Sequence, residues 1–164
     1  MRIAGQVSTA NNEAIVDRLL WCGILQNLAK LMESLGDSAA LKECCFTLSN
    51  IGAGSGHQIE KLVESEAFIM LVNIAINSKK LSNRNEALWA ICNAITGCDS
   101  GVRIRMIEVT GGSVIAALVI GCRAENKEFG LFKNVIEAIE MMLKLDEERG
   151  WKQTEHAIAF LFER

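Results

Sequence analysis

Residues 85–97 read NEALWAICNAITG, and residues 42–54 read KECCFTLSNIGAG. Laid over each other, Glu43 meets Glu86, Phe46 meets Trp89, Asn50 meets Asn93 and Gly54 meets Gly97, a spacing of 43 residues. Glu86, Trp89 and Asn93 stand at i, i+3 and i+7. At about 100° per residue they fall within roughly 60° of one another on a helix. Ala87, Leu88, Ile91, Ala94 and Ile95 occupy the opposite side. The helix therefore turns its largest apolar side chain to its polar face and fills its apolar face with small aliphatics.

The flanking sequence repeats as well. HQIEKLVESEAFIMLVNIAIN (57–77) and GVRIRMIEVTGGSVIAALVIG (101–121) each predict a short amphipathic helix, a break, and a nearly all-apolar helix. NEAIVDRLLWCGILQNLAKLM (12–32) has the same form, and RIAGQV at the start resembles the tail of a preceding long helix. ENKEFGLFKNVIEAIEMMLKL (125–145) is a further long amphipathic helix, after which GWKQTEHAIAFLFER begins another short one. A three-helix unit near this period lies in the armadillo/HEAT range of about 40–47 residues. The expected fold is all-α: a right-handed armadillo-repeat α-solenoid, three helices per repeat, with about three full repeats and partial ends. Its expected divisions are 1–8 (the end of a truncated repeat), 9–52, 53–97 and 98–146 (repeats), and 147–164 (the start of another). The middle helices, 67–77 and 113–122, are expected to be sandwiched between neighbours and apolar all round. The third helices, 40–51 and 84–96, are expected to line the groove.

Composition agrees. There are 164 residues, half of them hydrophobic, with no proline and 13 glycines that mostly fall between apolar runs. These favour helices with short connections. The net charge of −3, with no basic run longer than Lys79-Lys80, argues against nucleic acid or an anionic membrane as partner. SVIAALVIGC, the longest apolar run, is too short to span a bilayer. Cysteines 22, 44, 45, 92, 98 and 122 include no CxxC and no zinc spacing, so no metal or cofactor is expected; they read as buried free thiols. His57 is expected solvated at a first helical turn, and His156 has no ligand partner at useful spacing. Two such histidines assemble no nucleophile–base–acid set, so the chain is not expected to be an enzyme. GAGSG (52–56) lacks a preceding strand and a following lysine, and reads as an inter-helix turn. LDEERG (145–150) is a charge run and reads as a solvated helix end or loop.

The recurring triplet carries the functional expectation. Asn50 and Asn93 each offer an acceptor and two donors, which suits the unpaired main chain of an extended peptide. Phe46 and Trp89 beside them make slots for long aliphatic stems, and Glu43 and Glu86 place negative charge at the slot ends. A Lys or Arg entering such a slot lays its methylenes on the ring and keeps its charge near the carboxylate. Ser49 lies about 100° round from Asn50, towards the neighbouring repeat, where it is expected to share a guanidinium with Glu86.

KECCFTLSNIGAGSGHQIEKLVES and NRNEALWAICNAITG resemble the C-terminal armadillo repeats of the importin-α (karyopherin-α) family, the nuclear-import adaptors. The family pattern there is KEAxWxxSN followed by a turn and QI, then EAxWAxxN. The resemblance is highly specific at 40–64 and 84–97 and thins beyond about 122. It implies that 40–51 and 84–96 are the third helices of the seventh and eighth repeats, in the minor site for nuclear localisation signals. It makes Asn50 and Asn93 the backbone-binding asparagines, Trp89 a ladder tryptophan, and Ser49 and Glu86 the holders of a signal arginine. Arg2 falls where the preceding repeat carries arginine, and Gln6 where it carries asparagine. Basic localisation-signal peptides of cargo proteins are the implied partners, with an export receptor and a nucleoporin beside them, and cytoplasm and nucleus are the implied locations. Phe46 stands in place of a tryptophan and Gln6 in place of an asparagine, the middle helices lack the family's prolines, and Glu137 and Met141 stand where a further rung would place its aromatic and its asparagine. The absence of a basic N-terminal segment and of the major-site repeats leads us to expect a C-terminal piece of a longer adaptor, in preference to a reduced protein that uses its exposed end to dimerise or bind a partner. The alternative expectation is a degenerate armadillo protein-interaction scaffold that does not bind localisation signals.

Overall fold

The computed structural model describes residues 13–122 and 128–150. Among the described residues the chain forms nine helices: α1 (Glu13–Trp21), α2 (Ile24–Leu35), α3 (Ala39–Gly52), α4 (Gly56–Val63), α5 (Glu66–Asn77), α6 (Leu81–Gly97), α7 (Ser100–Thr110), α8 (Ser113–Gly121) and α9 (Phe129–Arg149). They fall into three short–middle–long triplets, α1–α3, α4–α6 and α7–α9. Arg2, Gln6 and His156, and the helix expected from 151 onward, lie outside the described residues.

The helix starts are written locally. The Ser38 hydroxyl accepts the Leu41 N–H (3.2 Å) at the start of α3, and Asp99 accepts the Val102 N–H (3.0 Å) at the start of α7. At α4 the Gln58 side chain reaches back to the Ser55 N–H (3.3 Å), the reciprocal half of a capping box. The turn between α7 and α8 needs two consecutive left-handed residues, Gly111 (φ 56°) and Gly112 (φ 83°), a conformation that costs a side-chain-bearing residue about 1–2 kcal/mol.

The long helices lie side by side, α3 on α6 and α6 on α9, over a second layer made by α5 and α8. Small residues allow the close approach of α3 and α6: a Cβ on Gly52 would stand 2.9 Å from the Ala90 carbonyl oxygen. The core runs continuously through the stack and includes Leu48, Phe68, Leu71, Ile91, Ile95, Leu118 and Val135. Of the middle helices, α8 has no exposed residue from Ser113 to Gly121, whereas α5 is less enclosed than expected. On α5, Phe68, Leu71, Val72 and Ala75 are buried, but Ile69 is exposed and Met70, Ile74 and Ile76 are half-buried. The long helix covers one side and adjacent middle helices flank it, so one edge of α5 meets solvent despite its apolar composition. LDEERG also differs from expectation. Its first five residues end α9 and Gly150 caps it; Leu145 and Asp146 are buried, whereas Glu147, Glu148, Arg149 and Gly150 are exposed.

Polar side chains tie each repeat to the next. Buried Gln58 donates to Asp17 (2.8 Å) and to the Glu13 carbonyl (3.3 Å). Asp37 accepts from the Ser78 hydroxyl, the Lys79 N–H (2.8 Å) and Asn83 (3.2 Å). The Ser78 bond first, then the Lys79 N–H, holds the Asp37 carboxyl below the usual carboxylate range. Of the thiols, Cys44, Cys45, Cys92 and Cys98 are buried and Cys122 is half-buried, whereas Cys22 is exposed, contrary to a uniform buried set. Burial pushes Cys45 and Cys92 up to about 12 and Cys44 and Cys98 to about 11.

Candidate peptide-binding groove

The rung on α6 is built by three repeats together. Trp89 is half-buried and packs against the edge of the core. It is not enclosed within its own triplet. Its ring edge lies over the start of α9: a Cβ added to Gly130 would come to 3.7 Å from Cζ2 and Cη2. The indole Nε1–H donates to Glu128 Oε1 (3.3 Å), and the other oxygen of that carboxylate accepts from Asn85 Nδ2 (3.4 Å). The tryptophan therefore leans on the following repeat.

Asn93 reaches the other way. Its Nδ2 donates to the Ser49 carbonyl (3.2 Å) and to the Ser49 hydroxyl (3.2 Å) on α3. Ser49 is 7% exposed, and within the chain its hydroxyl accepts from this asparagine. Ser49 does point towards the neighbouring repeat, as its 100° offset from Asn50 implies. Asn50 is half-buried and engaged within the chain.

Charge concentrates around the ring. The Glu86 side chain is 18% exposed, with Lys42 Nζ 4.0 Å from its Oε2. Burial pushes its carboxyl upward, Lys42 opposes this, and Glu128 and Glu43 add to the rise. These influences place carboxylates of α3, α6 and the residue before α9 in one electrostatic neighbourhood. On α3, Glu43 and Phe46 are exposed, Phe46 at 36%. On α9, Glu137 is exposed and Met141 half-buried. Arg2 and Gln6 belong to the residues outside the description.

Glu128 and Asn85 are the residues around Trp89 that sequence reading missed. Glu128 falls in a longer connection, with seven residues between α8 and α9 against three between α5 and α6, counted from the helix bounds. Asn85 directly precedes the motif glutamate, a position from which a helix residue can reach towards the next long helix. Among the described residues, no cluster of three or more His, Cys, Asp or Glu side chains could hold a metal ion. Among them, too, no single helix is long and apolar enough to cross a membrane.

No protein-family model matches this chain. No curated protein matches it either. Solved structures do. A designed armadillo repeat protein in complex with the peptide (KR)4 superposes with a TM-score of 0.72 at 27% identity, over 89% of this chain and 61% of that one. A computationally designed armadillo repeat protein for modular peptide recognition gives 0.69 at 25% identity, again over 89% and 61%. A further designed armadillo repeat protein gives 0.69 at 26% identity over the same shares. The chain thus spans about three-fifths of the length of these neighbours. Its fold is an all-helical armadillo-repeat solenoid.

Proposed function

We propose that this chain is a binding module that takes an extended, Lys/Arg-rich peptide along the exposed side of the α3–α6–α9 layer. One observation carries the reading: a half-buried tryptophan on that layer donates to the Glu128 carboxylate of the next repeat, with Glu86 about one helical turn before it. The ring offers a flat surface for methylenes and a negative face for a cation. The carboxylates supply the charge, and a basic side chain would relieve the cost of holding Glu86 ionised. With its amide donors held by Ser49, the Asn93 oxygen is oriented to accept a main-chain N–H. The complex of a similarly folded designed protein with (KR)4 supports a basic peptide as ligand.

Within this proposal the peptides are nuclear localisation signals and the module is part of a nuclear-import adaptor that works between cytoplasm and nucleus. The support is the resemblance of 40–64 and 84–97 to importin-α repeats. The same resemblance extends the proposal to an export receptor and a nucleoporin. The chain binds and does not catalyse; its buried thiols, pushed up by desolvation, are poor nucleophiles at neutral pH. Turnover that depended on any Cys or His would overturn that part.

A second reading, a scaffold that engages a protein partner elsewhere, draws on one observation: the Trp89 N–H and the Asn93 amide donors are both used within the chain. Isothermal titration separates the two. Monopartite and bipartite localisation-signal peptides are titrated at two salt concentrations, with the chain's solution mass measured alongside. Binding that weakens with salt and is lost in Trp89→Ala and Asn93→Ala supports the groove. No binding by the unaltered chain supports the scaffold.

A further inference from the structure

Glu128 stands outside the recurring motif, yet it makes two hydrogen bonds to α6, one to the indole and one to Asn85. The first constrains rotation of the ring about its χ2 torsion, which is otherwise broad. The second leaves the carboxylate pinned beside the ring at the N-terminal end of α9. Gly130 complements this arrangement by leaving backbone alone under the ring edge. The slot on α6 is thus completed by the repeat that follows it.

We propose that Glu128 is a positioning residue of the Trp89 slot that also sets its preference for a cationic side chain. It turns the ring to present its face along the groove and adds a negative charge contributed by the next repeat. The inference rests on the groove reading. It goes beyond it by assigning the role to a residue that the repeat motif does not contain. The raised carboxyl of Glu86, to which Glu128 contributes, is consistent with a field of this sign.

The test compares Glu128→Gln, which keeps an acceptor for the indole and loses the charge, with Glu128→Ala, which loses both. A fluorescent (Lys-Arg)4 peptide is the binding probe, read by anisotropy against salt. Glu128→Gln is expected to weaken binding about three- to fivefold at low salt and to flatten the salt dependence. Glu128→Ala is expected to weaken it further. A peptide-independent readout uses the Trp21→Phe/Trp151→Phe background, in which Trp89 is the remaining tryptophan. There, the caesium-to-iodide quenching ratio should exceed that of free N-acetyltryptophanamide, and Glu128→Gln should lower it towards that reference. Unchanged affinity and an unchanged caesium-to-iodide ratio in Glu128→Gln would overturn the proposal. Equal affinities of the Gln and Ala variants would overturn its positioning half. Failure of the unaltered chain to bind the peptide defeats the groove reading, and the quenching ratio then decides whether Glu128 sets the local field.

Discussion

The rungs on α3 and α6 carry the same three positions, yet they are not equivalent. Phe46 is 36% exposed and has no polar atom by which a neighbour could hold it. Trp89 is half-buried, supported by Gly130 and bonded to Glu128. Glu43 is exposed, whereas Glu86 is drawn into the layer and shares its surroundings with Lys42. The difference shows that a rung is a property of adjoining repeats. The motif supplies the side chains, and the following helix determines how firmly they are held.

The strongest way to break the comparison is to force the two rungs apart. Gly52→Leu would drive a side chain against the Ala90 carbonyl, where even a Cβ comes to 2.9 Å. It should destabilise the chain by about 3 kcal/mol, read as a lower midpoint in urea or thermal unfolding, with both rungs lost together. A smaller change sharpens the comparison: Phe46→Trp gives α3 a larger ring with an N–H. It should tighten basic-peptide binding severalfold and narrow the gap between the rungs, seen in titration as a reduced loss when Trp89→Phe is added.

Acidity offers a third handle. Burial first, then Glu128 and Glu43, pushes the Glu86 carboxyl above its ordinary 4.5, against the pull of Lys42. Ionised Glu86 attracts a basic side chain and protonated Glu86 does not. Peptide affinity should therefore fall as pH drops through that raised range, beginning at a higher pH than for a solvated glutamate. Glu86→Gln should bind more weakly at neutral pH and flatten this part of the profile. Stability of the free chain runs in the opposite sense for this group. Ionisation of a carboxyl with a raised folded pKa costs stability, so the cost is present above that pKa and is relieved as pH falls through it. The smallest effect is expected from Lys42→Met. Lys42 occupies the Glu86 carboxylate at 4.0 Å while remaining largely exposed, a pairing worth under about 1 kcal/mol. Its removal should raise basic-peptide affinity by about twofold, measured at low salt.

The three-helix unit was legible because its signals are local. Apolar spacing and glycines at turns each act within a few residues, and the 43-residue recurrence needs only the sequence to be seen. The helices expected at 40–51 and 84–96 lie within α3 and α6, and Glu86, Trp89 and Asn93 follow from the 3.6-residue turn. Periodicity cannot say how tightly a middle helix is covered, so Ile69 is exposed on a helix whose composition reads as fully buried.

What the sequence alone determined is the repeat, its helices and the recurring Glu–aromatic–Asn face, since each depends on covalent spacing and on the regular pitch of a helix. Only the tertiary structure decided who holds whom. Gln58 on Asp17, Ser78 on Asp37, Asn93 on Ser49 and Trp89 on Glu128 span 41, 41, 44 and 39 residues. Each join crosses about one repeat, and its length depends on how closely one triplet stacks on the next. That distance is set by packing small residues such as Gly52 between facing helices, and no pattern within a single helix encodes it.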